Sequence, residues 1–115
     1  MTTLTEGIHN TEFLLHEAGG AYSRSTVTVA LAAGALASGT LMGKITASGK
    51  YIAYLNGAAD GSEVCAGVLL NAVPDLAVDQ KAVIINRHAE VMASRLTGSD
   101  APGIVDLAAI GVIVR

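Results

Sequence analysis

The stretch TLMGKITASGKYIAYL, residues 40–55, decides the fold that the sequence predicts. Two short apolar runs in it, residues 40–46 and 51–55, carry β-branched or aromatic side chains, which favour strands. The four residues that join them place Gly49 where a tight hairpin needs a positive φ angle. The stretch therefore predicts two strands joined by a short turn.

Apolar runs of the same kind recur about every ten to fifteen residues, at 26–31, 63–70, 82–88, 90–96 and 110–115. Such spacing is typical of an all-β barrel or sandwich. We interpret residues 30–39 as a loop, because their glycines oppose the helix that Ala and Leu favour. The last run, IGVIVR, is predicted to be a buried closing strand.

One short helix is predicted before that last strand. The residues there combine an N-cap, an early proline and one apolar face: Ser99 or Asp100, then Pro102, then Ile104, Leu107 and Ala108. A chain of 115 residues normally forms one domain. The sequence therefore predicts a single all-β domain, mostly β with one short C-terminal helix.

The composition excludes several classes of function. The formal net charge is -3, and the seven Lys and Arg residues form no run, which argues against nucleic acid as a direct partner. The most apolar segment, residues 27–43, is interrupted by Thr and Gly and is too short to span a membrane. The N-terminus lacks the pattern of a signal peptide, so we expect a soluble protein.

The chemical candidates lie mainly in YLNGAADGSEVCAGVL, residues 54–69. Asp60 and Glu63 could bind a cation, but the segment is too short for an EF-hand loop, and a turn with Gly61 in a left-handed conformation explains it. Cys65 has no histidine near it in sequence and is predicted to fill space in a strand. His88 and Glu90 could face one side of a strand, but a solvated pair explains them without a site. We therefore predict no catalytic residue, cofactor or metal site.

Residues 1–21 are polar and irregular except for one apolar cluster, Phe13-Leu14-Leu15. A segment of this kind buries little surface alone, which is typical of a flexible arm that orders on a partner. The alternative, that the cluster is an edge strand of the domain formed by residues 22–115, stays open.

Five segments, taken in order, resemble the head decoration proteins of lambda-like tailed bacteriophages and prophages. They are EFLLHEAGGAYSRSTVTVA (12–30), GTLMGKITASGKYIAY (39–54), AADGSEVCAGVLLNAV (58–73), KAVIINRHAEVMASRL (81–96) and LAAIGVIVR (107–115). They span about nine tenths of the chain. No single segment is a catalytic signature, so the specificity of the resemblance lies in their succession.

The resemblance implies a small barrel-like β-clip or β-tulip fold that assembles as a homotrimer. It implies that trimers bind the major capsid protein at threefold sites of the expanded head, on the outside of the virion. It also implies that the N-terminal arm pairs with capsid strands, which on this sequence assigns capsid contact to Glu12, Phe13, Leu14 and Leu15. The alternatives are a small-ligand-binding β-barrel or another structural component of the virion.

Overall fold

A computed structural model describes residues 13–17, 19, 23–30, 34–75 and 78–115. These residues form eight strands, one 3-10 helix and one α-helix. In chain order the elements are β1 (Leu14–Glu17), β2 (Arg24–Val29), β3 (Leu41–Lys44), β4 (Tyr51–Ala53), β5 (Cys65–Leu69), β6 (Gln80–Ile85), β7 (Ala89–Val91), the 3-10 helix Ala93–Arg95, α1 (Ala101–Ala109) and β8 (Val112–Val114). The predicted all-β class with one short C-terminal helix is confirmed.

Five of the strands close into a barrel in the order β2-β4-β3-β5-β6. The predicted hairpin is its centre: β3 and β4 pair antiparallel, with Lys44 opposite Tyr51. Gly49 in the connecting turn has a φ angle of 73°, as the sequence predicted. The barrel closes where β2 pairs antiparallel with β6 on one side and meets β4 on the other.

The remaining strands form a small second sheet in the order β1-β7-β8. The prediction of a strand over 90–96 is wrong beyond Val91, because the Met92 amide donates to the Phe13 carbonyl at 2.7 Å and the chain then turns into the 3-10 helix. The predicted strand at the C-terminus is present as β8, but it is only partly buried. It lies at an edge of the small sheet, so Val112 is buried whereas Ile113 is 43 % exposed.

Two hydrophobic cores share the same three strands. Because side chains alternate along a strand, Met42, Leu69 and Ile84 point into the barrel, where they form the barrel core. Their neighbours point the other way into a second cluster, the outer core, which the small sheet and α1 cover. The residues from β3, β5 and β6 that enter the outer core are Leu41, Cys65, Val68 and Ile85.

The helix α1 is fixed to the barrel by two carboxylates. Asp100 is the N-cap and accepts from the Gly103 amide at 2.7 Å and from the Tyr54 hydroxyl at 2.9 Å. Six residues further on, nearly two helical turns later, Asp106 accepts from the Cys65 amide at 3.0 Å. Of the three apolar residues predicted on one face of the helix, only Leu107 is buried.

The turn predicted at Asp60 and Gly61 is confirmed. Gly61 has a φ angle of 109°, which favours glycine, and Asp60 accepts from the amide of Ser62 at 3.0 Å. A Cβ atom on Gly61 would lie 2.6 Å from the Lys44 carbonyl oxygen and would also collide with the Thr46 hydroxyl. The turn therefore packs against the β3–β4 hairpin so closely that a side chain has no room.

We expect Gly61→Ala to lower the free energy of unfolding by about 3 kcal/mol, because backbone strain adds to the collision with the hairpin. Urea denaturation followed by circular dichroism measures the change. Gly57→Ala is the matched control in the same loop, since a Cβ there meets nothing within 4 Å, and its effect should stay within about 1 kcal/mol. Equal effects for the two variants would contradict the close packing at Gly61.

A second prediction concerns Tyr54, whose pKa is raised to about 12 by burial and then by its bond to the Asp100 carboxylate. The folded state favours the neutral phenol, whereas an unfolded tyrosine ionises at about 10. The contribution of Tyr54 to the free energy of unfolding is therefore complete below pH 10 and is lost as the pH rises towards 12. Phenolate absorbance should show a late ionisation step that Tyr54→Phe removes and Tyr51→Phe keeps. Loss of the step in Tyr51→Phe alone would overturn the assignment.

Candidate docking surface

The carboxylates of the acidic turn accept hydrogen bonds from groups within the turn. Glu63 accepts from the Gly61 amide at 2.7 Å, and Asp60 accepts from both the amide and the hydroxyl of Ser62. The bonds to Ser62 lower the pKa of Asp60. Within the described ranges no three His, Cys, Asp or Glu side chains are grouped to hold a metal ion. The acids thus shape the turn.

Cys65 lies at the start of β5 and is 1 % exposed, which confirms the prediction that it is packed in a strand. Burial raises the pKa of its thiol to about 12. The thiolate is the nucleophilic form of cysteine. At neutral pH this side chain is therefore a small hydrophobic group.

Of the two interpretations of His88 and Glu90, the structure does not show the shared side of a strand. His88 precedes β7 and has a φ angle of 44°, which is rare for a residue other than glycine. Glu90 lies in the middle of β7 and forms an ion pair with Arg115.

The N-terminal apolar cluster divides into a buried part and an exposed part. Phe13 is fully buried in the outer core, Leu14 is half-buried, and Leu15 is 46 % exposed. The alternative of an edge strand is therefore the observed state of residues 14–17. Glu12 lies outside the described residues, and the arm stays a prediction for residues 1–12.

A β-bulge explains the exposure of Leu15. Leu14 lies opposite Val91 and His16 lies opposite Glu90, so β1 has one residue more than β7 at this point. An extra residue of this kind bends its strand and redirects a side chain. Leu15 is thereby turned away from the outer core.

One face of the small sheet looks away from both cores, and we call it the outer sheet face. His16 pairs with Glu90, and Glu90 pairs with Ile113, so the three side chains form a row across the sheet. Arg115 follows Ile113 by two residues and binds Glu90. With Leu15 they make a surface that carries two exposed aliphatic side chains, Leu15 and Ile113.

The charges around the outer sheet face are paired. Arg24 binds Glu17 through two hydrogen bonds of 3.0 and 2.6 Å. Hydrogen bonding to Arg24 is the main cause that lowers the pKa of Glu17. Glu90 is paired with Arg115. Since each of these acids has a basic partner, an apolar partner surface would meet little uncompensated charge.

β1 also offers a free strand edge. It pairs with β7 on one side, and no other described strand pairs with it. An unpaired edge presents amide and carbonyl groups that can bind an extended segment of another chain. The free edge and the exposed Leu15 lie on the same strand.

Sequence reasoning reached Leu14 and Leu15 but missed Ile113 and Arg115, and it considered Glu90 only together with His88. Apolar residues occupy both faces of β8, so alternation gave no sign that Ile113 is exposed. The only local signal was the terminal arginine, which follows the apolar run and needs solvent or an acid. The partner acid lies 25 residues earlier in the chain.

Comparison with known proteins gives one family. The family model described as bacteriophage lambda head decoration protein D matches residues 3–112 of the 115. No individual curated protein matches the chain. Among the described residues, the helices are all too short or too polar to cross a membrane.

The division of the N-terminal cluster can be tested by stability. We expect Phe13→Ala to lower the free energy of unfolding by about 3–5 kcal/mol, because it leaves a cavity in the outer core. Leu15→Ala, two residues away, should change it by less than about 1 kcal/mol, since Leu15 is half exposed. Chemical denaturation of both variants measures the difference. Similar losses for the two would show that Leu15 is also a core residue.

Proposed function

Because the chain belongs to the bacteriophage lambda head decoration protein D family and is thus a head decoration protein of phage capsids, we propose that it binds the expanded head as trimers at threefold sites. There it contacts the major capsid protein on the outside of the virion and stabilises the shell against the pressure of packaged DNA. It is made in the host cytoplasm and added during assembly. The function is structural and needs no catalytic group or cofactor.

The observation that supports this proposal best is the outer sheet face with its free edge. A capsid segment that adds to β1 as a further strand gains main-chain hydrogen bonds along the edge and covers Leu15. Leu15 and Ile113 are 46 % and 43 % exposed, so each contributes about 1 kcal/mol if binding buries the exposed remainder. These gains must exceed the entropy lost when the partners associate, so no single contact needs to be strong.

Trimeric binding multiplies this modest contact. When one copy of the trimer is bound, the other two copies are held close to their own sites, and their binding becomes intramolecular. Three linked contacts also join three neighbouring regions of the shell. A shell joined in this way must break several contacts together before it can expand further or rupture.

Residues 1–12 are proposed to extend the contact as the arm, together with β1. Their removal must leave Phe13 in place, because a cut at residue 21 would also take out a core side chain and would confuse binding with folding. Deletion of residues 1–12 is therefore the informative truncation. Leu15→Asp tests the strand itself with a single change.

We expect the wild-type protein to sediment with expanded heads, and both the deletion of residues 1–12 and Leu15→Asp to reduce the bound fraction at least tenfold. Val78→Asp is the matched control, since Val78 is an exposed valine outside the small sheet, and it should bind like wild type. Decorated heads should also retain their DNA at higher temperature than undecorated heads. Circular dichroism confirms that each variant is folded.

Two results would count against the proposal. Wild-type protein that stays in the supernatant with the expanded heads of its own phage would overturn capsid binding. Normal binding by both the truncated protein and Leu15→Asp would leave decoration in place but would remove the arm and β1 from the contact.

A further inference from the structure

The outward side of α1 is apolar along its whole length. Gly103 and Leu107 are buried, whereas the solvent side consists of small or aliphatic residues: Ala101, Pro102, Ile104, Val105, Ala108 and Ala109. Val105 is 67 % exposed, the largest exposed fraction among the large aliphatic residues described. A surface helix normally carries polar residues opposite its buried face, and a helix that is apolar all round is normally covered.

A groove of matching character lies elsewhere on the same chain. It encloses about 480 Å³ and is lined by two short segments, residues 35–37 and 72–74, none of which is charged. Leu36 and Val73 form its floor through an isolated antiparallel bridge, and both side chains belong to the barrel core. Ala35 lies at the exposed rim.

The helix and the groove belong to different parts of the fold. Leu107 anchors α1 to the outer core, whereas Leu36 and Val73 close one end of the barrel core. Two copies that pair the helix of one with the groove of the other therefore meet through different surfaces. Contacts of this heterologous kind form closed rings when the rotation between copies fits.

The charges and the size of the two surfaces favour a second copy as the occupant. Neither surface carries a charge, so the match is apolar against apolar, and charged residues make up only 15 % of the chain against about 25 % in typical domains. A helix of nine residues is only about 14 Å long and about 10 Å wide, so one face of it covers much less than the roughly 800 Å² that a standard interface buries on each partner. In a ring each copy buries both its helix and its groove, which brings the total closer to that size.

We propose that the trimer forms by insertion of the α1 face of each copy, led by Ile104 and Val105, into the groove at residues 35–37 and 72–74 of the next copy. This inference rests on the trimer of the proposed function and specifies its interface. It separates two surfaces on one chain: α1 and the groove join copies to each other, and the outer sheet face joins the trimer to the shell.

A double variant, Ala35→Cys with Val105→Cys, tests the interface by cross-linking with a short bis-maleimide. Each maleimide group reacts with one thiol. A ring that pairs the helix of each copy with the groove of the next should therefore give covalent trimers from the double variant, either in solution or on expanded phage heads. Neither single variant should cross-link, but a mixture of the two should give dimers. The wild-type protein is the control for Cys65, which is buried and should not react.

Four results would overturn the inference. The double variant could remain monomeric both in solution and on heads, or fail to bind heads that wild type binds while giving no trimer in solution. Val105→Cys alone could give dimers, which would indicate a helix-to-helix contact instead. If the wild-type protein forms trimers and the Val105→Lys variant forms them equally well, α1 is not part of the interface.

The outcomes for the two proposals can be told apart. If the wild-type protein sediments with heads but the double variant gives no cross-linked trimer, the decoration function is kept and this interface is refuted. Covalent trimers in solution with no wild type on the heads would do the reverse. Ile113→Lys is the matched control for a lysine on an exposed aliphatic residue, and it should keep the trimer while weakening sedimentation with heads.

Discussion

The structure depends on three short strands, β3, β5 and β6, whose central residues are buried on both faces. Alternate side chains there enter the barrel core and the outer core, so the pairs Leu41–Met42, Val68–Leu69 and Ile84–Ile85 are apolar. This explains why the chain is rich in aliphatic residues and poor in charge. Small side chains suit such strands, because two layers must approach the same backbone from opposite sides. At Gly43 of β3, for example, the backbone of Ser62 lies so close that a Cβ would be 2.5 Å from its carbonyl oxygen.

The outer core gives the chain a second layer, and that layer carries the outer sheet face and the outward side of α1, two of the surfaces proposed to make contacts. Phe13 enters this core from the N-terminal side, and Val91, Leu107 and Val112 enter it from the small sheet and the helix. Their outward-facing neighbours then become surface residues by alternation or by helical period. Ile113 is exposed because Val112 is buried, and Val105 is exposed because Leu107 is buried. Binding surfaces and core are thus two sides of the same elements.

Local features of the fold were predictable from the sequence. The hairpin with Gly49, the turn at Gly61, the Asp100 cap and the packing of Cys65 all depend on interactions between residues close in sequence or on residue type alone. The end of β7 and the edge position of β8 were not predictable. Met92 is fixed by the Phe13 carbonyl, 79 residues away in the chain (92 minus 13), and no local pattern encodes that contact. The outer sheet face was missed for the same reason, since its row of residues comes from three separate strands.

The pairing of β1 with β7 has a mechanical consequence. The chain enters the sheet at Phe13, whose side chain is enclosed and whose carbonyl is bonded to Met92. A pull on the preceding residues along the direction of β1 loads the hydrogen bonds of the pair in shear, so they resist together instead of opening one by one. The buried phenyl ring of Phe13 adds to this resistance, because it would have to leave the outer core. Tension arriving from a shell under strain would therefore be carried into both layers of the molecule before any strand could peel away.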